Sequence, residues 1–383
     1  VTVRHQFLKK VVELLQLGRD AATPVENVGR VAQHAHAGQI LLQPFHLLFF
    51  QRPLPGDGGK TRHFCFVFPV TQRLLLVHGD EVGVDRTPAE GVVKLEEDPV
   101  LERLDDRVTL LELFHGPTCA FKDFGASFLA SAMEEFLRQD SRRAVILVAT
   151  YGDTGSAVAR AFEGKANIEV VILYPSGRVS ALQEQQLTTV GGNVTALEIQ
   201  GSFDDCQRMV KEAFVDSELR RSVSLSSANS INLGRLLPQA LYYIYGNCRL
   251  GSGKKRMICV PSGNFGNLTA GVYAWLWGME VDGFIAATNI NDVVPEYLST
   301  GEFRPRRSLK TISNAMDVGY PSNFERLIVV FEGSVRKMRR LIKGVAITDQ
   351  ETRDTMRRVY EESGMLIDPH TAVGVRIRYC SLC

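Results

Sequence analysis

Lys122 is the residue whose surroundings first suggest chemistry. It stands in Phe114-His-Gly-Pro-Thr-Cys-Ala-Phe-Lys-Asp-Phe-Gly125, flanked by Phe121 and Phe124. Aromatic neighbours strip water from an amine, which disfavours the ammonium form and leaves a nucleophile for a carbonyl carbon. The plain alternative is a stem lying along the rings with its head paired to Asp123. Two turns could hold anions. In Ser262-Gly-Asn-Phe-Gly-Asn267, two glycines allow close backbone approach, and N–H groups at a helix start can cradle a phosphate. The turn has neither the Gly-Lys-Ser/Thr of a nucleotide loop nor GxGxxG, and an ordinary tight turn fits the same letters. Gly152-Asp-Thr-Gly155 is a second turn of this kind. Together they suggest two phosphorylated or carboxylated groups held at once. No metal site is expected. His34 and His36 lack a Cys or carboxylate partner at ligand spacing, and Cys380-Ser-Leu-Cys383 is a lone CxxC with no second pair.

Short apolar runs must position these residues. Arg143–Ala149, Ile168–Tyr174, Val194–Ile199, Arg256–Val260 and Gly283–Thr288 read as buried strands. Between them, Ser156–Phe162, Val179–Leu187 and Asn267–Gly278 read as helices. Alternation of this kind predicts an α/β fold with parallel sheets covered on both faces. Its ligands bind where strand carboxyl ends meet helix amino ends, which is where both glycine turns fall. Gly251-Ser-Gly-Lys254 is the clearest break between lobes.

The chain has 383 residues, enough for two to three domains. Lys and Arg number 44 against 43 Asp and Glu, a net charge of +1. That balance argues against a nucleic-acid or membrane-surface binder, since both need clustered positive charge. No apolar run approaches the roughly 20 residues that cross a bilayer. Seven scattered cysteines suggest reduced thiols and a cytoplasmic protein. Composition is uneven: no serine precedes Ser127, no methionine Met133 and no tyrosine Tyr151, and six of the eight histidines lie within the first 78 residues.

Six segments, in order, resemble the threonine synthase family. They are His115–Gly125 around Lys122; Gly152-Asp-Thr-Gly-Ser-Ala157; Asn229-Ser-Ile-Asn-Leu-Gly-Arg235; Pro261–Asn267; Ala315–Gly319 with Pro321–Arg326; and Asp368-Pro-His-Thr-Ala-Val373. The resemblance covers about residues 98–375. It implies a fold type II pyridoxal 5'-phosphate enzyme, with two αβα lobes, mostly parallel sheets and the cofactor between them. The implied activity is a lyase reaction, O-phospho-L-homoserine and water to L-threonine and phosphate. Carried over residue by residue, Lys122 corresponds to the Schiff-base lysine. Gly263, Asn264, Phe265 and Gly266 correspond to the cofactor-phosphate loop, and Thr371 to the hydroxyl facing the pyridine nitrogen. Gly152, Asp153, Thr154 and Gly155 are candidates for the substrate, and Arg235 for its phosphate, by the fork geometry that suits phosphate oxygens.

The sequence also departs from that family. Tyr151 stands where the family usually has Ser, and a phenol there could crowd the substrate side. The resemblance leaves an atypical segment at 1–97, two parts of a core at 98–250 and 251–375, and an atypical tail at 376–383. The expectation is a disrupted reading frame around an intact core, with a loosely packed opening segment and little chain to anchor the element of Thr371. Other products of the same chemistry stay open: a phospho-lyase yielding 2-oxobutyrate, or an inactive cofactor-binding remnant. Oligomeric state is not assigned.

Overall fold

In a computed structural model the chain divides into two units, Val1–Lys94 and Leu95–Cys383. The structure describes residues 65–67, 74–76, 99–251 and 256–379. Expectations for the rest of 1–97, for 252–255 and for Cys380–Cys383 lie outside the described residues. In the first unit, strands β1 (Cys65–Val67) and β2 (Leu74–Leu76) pair antiparallel.

The second unit opens with an antiparallel pair, β3 (Val100–Arg103) and β4 (Thr109–Glu112). A helix follows, α1 (Lys122–Gln139), and then β5 (Ala144–Ala149), whose six residues are all buried. Next come α2 (Asp153–Phe162), β6 (Ile168–Pro175), α3 (Ala181–Thr188), β7 (Val194–Ile199), α4 (Phe203–Val215), α5 (Ser217–Ser222) and β8 (Leu225–Ser227). These strands form a parallel sheet in the order β7-β6-β5-β8. Helices α6 (Leu233–Leu236) and α7 (Ala240–Arg249) lead to β9 (Met257–Pro261), α8 (Gly266–Leu276), β10 (Gly283–Thr288), α9 (Val293–Thr300), α10 (Phe324–Val330), α11 (Val335–Leu341) and β11 (Ile342–Ala346). A second parallel sheet runs β11-β10-β9. Helices α12 (Asp349–Ser363) and α13 (Pro369–Val375) and a 3-10 turn at Arg376–Tyr379 close the described chain.

The apolar runs behave as their composition requires: both faces of β5 and β10 are covered, so neither alternates polar and apolar residues. Capping boxes start α3 (Ser180 with Gln183), α4 (Ser202 with Asp205) and α12 (Thr348 with Glu351). The strand expectations match within a residue at each end. Helix α2 starts earlier than expected, at Asp153, because Gly152 at φ +130° already turns the chain out of the strand. The β3–β4 pair and β11 were not anticipated. Their runs are short and half exposed, so they carry little apolar signal.

The element bearing Thr371 is well anchored, contrary to expectation. Val373 and Ile377 pack with Ile285 and Ala287, and Val375 packs with Leu104 and Val359. Arg378 pairs with Asp105 at 2.7 Å. Tertiary burial supplies what chain length does not.

Candidate active site

Every motif lies at a carboxyl end of a parallel strand or on an element packed against one. After β5, the Thr150 hydroxyl accepts from the N–H groups of Gly152 and Gly155, each at 2.9 Å, which shapes the turn into α2. Asp153, the first residue of α2, presents its carboxylate to Lys122, the first residue of α1. Lys122 Nζ donates to Asp153 Oδ2 at 2.9 Å, with 18% of the lysine side chain exposed. The amine also lies 4.6 Å from the centre of the Phe121 ring. The neighbouring Lys122 charge holds the Asp153 carboxyl below its usual value against the opposing effect of burial. Gln183 Nε2 donates to the other carboxylate oxygen at 2.6 Å.

Lys122 therefore does not pair with Asp123. That carboxylate is buried and turns back to the preceding loop, accepting from the Thr118 N–H at 2.9 Å and the Thr118 hydroxyl at 2.5 Å. The loop is wrapped over the start of α1, and Tyr242 fastens it further by donating to the Phe121 carbonyl. Lys122 is left free to face α2.

After β9, Phe265 adopts a left-handed conformation (φ +61°), and α8 begins at Gly266 with no side chain capping it. An uncapped helix start leaves N–H donors for an anion. A Cβ on Gly263 would lie 2.6 Å from Met316 Cα and 3.1 Å from the Ala315 carbonyl. Only glycine lets this turn sit against the 315–316 backbone. The Asn264 side chain is spoken for structurally: its Oδ1 accepts from the Ser322 N–H at 2.6 Å, and its Nδ2 donates to Ser230 Oγ at 3.3 Å. The Phe265 ring is buried against Phe324.

The segment after β8 joins the two sheets. Asn229 Nδ2 donates to the Ala149 carbonyl at 2.9 Å, and Asn229 Oδ1 accepts from the Ala149 N–H at 3.3 Å. Its neighbour Ser230 accepts from Asn264 and, at 2.9 Å, from the fully buried Asn323. The two glycine turns are thus tied through adjacent residues. The sequence reading assigned a role in this motif only to Arg235. That side chain is buried against α1, its Nε has no hydrogen-bond partner, and burial lowers its guanidinium to about 10. Among the described residues it makes no hydrogen bond to Lys122, Asp153 or Thr371.

Helix α13 completes the constellation. Asp368 caps it, and Thr371 donates its hydroxyl proton to Asp368 Oδ2 at 2.5 Å. The Ala315 N–H donates to His370 Nε2 at 3.2 Å, and His370 lies within electrostatic reach of Asp153. Gly374 packs on Pro261, which seats α13 beside the strand that ends at the 262–266 turn. Sequence reasoning missed Gln183, Asn229, His370 and Asp368. The last three lie inside the quoted motifs, whereas no local signal marks Gln183. Tyr151 is exposed, and its ring stacks on Phe203 with centroids 4.2 Å apart.

A primary amine facing a carboxylate, together with a glycine-lined helix start bare of side-chain caps, suits a cofactor that carries both an aldehyde and a phosphate. Residues 86–379 match the family model described as pyridoxal-phosphate dependent enzyme, and the chain belongs to that family. It is similar to the threonine synthase of Serratia marcescens, 48% identical over 280 residues, covering 73% of this chain and 64% of that protein. Among solved structures it resembles the threonine synthase of Escherichia coli (44% identity, TM-score 0.70, 76% of this chain and 67% of that one). It also resembles a threonine synthase from Brucella melitensis with pyridoxal phosphate bound (38% identity, TM-score 0.71, 74% and 67% covered). The architecture is that of fold type II. The chain spans a little under two thirds of the length of the curated relatives it matches. Among the described residues, no helix is long and apolar enough to cross a membrane.

Proposed function

We propose that this chain carries the catalytic core of a threonine synthase, at about residues 98–375, converting O-phospho-L-homoserine and water to L-threonine and phosphate. The observation that carries the reading is the Lys122–Asp153 pair, set among hydrogen bonds that tie the other motif segments to one another: Asn229 to Ala149, Ser230 to Asn264, His370 to Ala315 and Thr371 to Asp368. Bound pyridoxal phosphate would supply an electron sink that eases proton loss at the substrate carbons and departure of the γ-phosphate. The residues of the chain do the rest. Gly263, Asn264, Phe265 and Gly266 offer backbone N–H groups to the cofactor phosphate at the start of α8. Lys122 is the amine for the cofactor aldehyde and the base that takes a proton at substrate Cα. Asp153 and Gln183 fix the position of Lys122 Nζ, and Thr371 meets the ring nitrogen. The turn from Gly152 to Gly155 borders the substrate. Arg235 is assigned to the substrate phosphate, as a buried guanidinium with one nitrogen unpartnered.

Purified protein mixed with pyridoxal phosphate should gain visible absorption, and Lys122→Ala should not. The wild type should then release threonine and phosphate from O-phospho-L-homoserine. Visible absorption retained in Lys122→Ala would remove the lysine from this role. Ammonia and 2-oxobutyrate in place of threonine would make the chain a phospho-lyase.

A further inference from the structure

Asp317 stands among donors near the carboxyl end of β10. Its Oδ1 accepts from the Thr311 hydroxyl at 2.7 Å, from Asn289 Nδ2 at 2.9 Å and from Asn291 Nδ2 at 3.3 Å, and its Oδ2 accepts from the Thr311 N–H at 3.0 Å. Backbone N–H groups settle how both amides point, because an N–H can only donate. The Asn291 N–H meets Asn289 Oδ1 at 3.0 Å, and the Leu309 N–H meets Asn291 Oδ1 at 2.7 Å. Each amide must therefore turn its NH2 group to Asp317. Thr311 Oγ1 accepts from Asn289 Nδ2 at 2.8 Å, so its own proton goes to the carboxylate. Four converging donors suit an ionised carboxylate, against burial, which raises this carboxyl above its usual value.

The network encloses a short segment. Residues Asn314–Met316 form a 3-10 turn between Ser313 and Asp317. Asn289 Nδ2 holds both flanks of it, reaching Ser313 Oγ at 3.2 Å as well as Asp317 Oδ1. Met316 is buried in the cluster of Ile285, Ala287 and Val373. The backbone of this turn is what a Cβ at Gly263 would strike, 2.6 Å from Met316 Cα and 3.1 Å from the Ala315 carbonyl oxygen. On the reading of the site proposed above, the Gly263 turn holds the cofactor phosphate. We propose that Asp317 is a positioning residue for that phosphate: by fixing the Asn314–Met316 turn, it sets the wall on which the Gly263 turn is seated. Asp317→Asn brings an NH2 group among four donors, and at least one of them loses its acceptor. The wall then shifts, and the N–H groups at the start of α8 shift with it.

The test compares the wild type, Asp317→Asn, Gly263→Ala and the double variant for pyridoxal phosphate affinity, by titration of visible absorption. The 31P resonance of the bound cofactor is recorded for each. Asp317→Asn should weaken binding by about tenfold and move the 31P resonance, a readout that a loss of global stability alone leaves in place. In the Gly263→Ala background the turn has already parted from its wall, so Asp317→Asn should cost less than about threefold more. Thr311→Val keeps the N–H bond to Oδ2 and removes only the hydroxyl. It should move the resonance in the same direction, so the outcome does not depend on how Asp317→Asn folds. Losses that multiply in full in the double variant overturn the proposal. So do an affinity and a resonance unchanged in both Asp317→Asn and Thr311→Val while Gly263→Ala moves them; the site reading then stands. Gly263→Ala without effect on either measurement overturns the site reading, and this inference with it.

Discussion

Gly263 and Gly266 stand three residues apart in one turn, and the structure separates their roles sharply. A methyl group at Gly263 would lie 2.6 Å from Met316 Cα, a backbone atom that no rotamer change can move. That is about 1 Å inside the optimal separation of two carbons, so either the turn or the 315–316 backbone must shift. The same backbone donates from Ala315 to His370, so the shift reaches α13 as well. At Gly266 the nearest atom is the end of the Asn323 side chain at 3.3 Å, which a few tenths of an ångström relieve. Overpacking against fixed backbone costs about 1–3 kcal/mol. Spent wholly on the bound conformation of the turn, that is a loss of cofactor affinity of about 5- to 150-fold. Gly263→Ala should therefore weaken pyridoxal phosphate binding by one to two orders of magnitude, and Gly266→Ala by far less. Titration of visible absorption, with urea unfolding of the cofactor-free forms as a control on global stability, measures both. Equal affinities for the two variants, or a larger loss at Gly266, would refute the argument that the 315–316 backbone sets the turn.

Three further outcomes follow from the same contacts. Because the Asp153 carboxyl titrates below its usual value, its pair with Lys122 stabilises the fold fully above about pH 4 and is lost as pH falls through the lowered value. Urea midpoints should therefore favour the wild type over Asp153→Asn at pH 7, with the gap closing at pH 3; a gap that widens on acidification contradicts the pairing. Asn229→Ala leaves the Ala149 N–H and carbonyl without their side-chain partner and should cost about 1–3 kcal/mol by chemical denaturation, with an unchanged midpoint counting against it. Tyr151→Ser removes the stack of an exposed ring on Phe203, a contact worth about 0.5–1.5 kcal/mol, and should leave cofactor affinity intact. A large change in that affinity would place the phenol at the cofactor after all.

The sequence by itself determined the alternation of elements and the points where chemistry is concentrated. The runs Ala144–Ala149 and Gly283–Thr288 contain scarcely a polar atom, so only strands covered on both faces could satisfy them. The glycines at 152 and 263 marked places where backbone must turn or be approached closely, because a Cβ is excluded there by local and contact sterics. What the letters could not show is which charge meets which. Whether Lys122 turns to Asp123 or to Asp153 depends on the Thr118 loop already claiming Asp123, a competition among groups placed by folding. Likewise, Asn229 and Ser230 hold two turns together across 80 and 34 residues of chain. Thr371 donates to its own neighbour Asp368, but His370 accepts from Ala315, 55 residues away. Hydrogen-bond direction and ion-pair choice are set by distances of a few tenths of an ångström between distant segments, and only the packed chain supplies those distances.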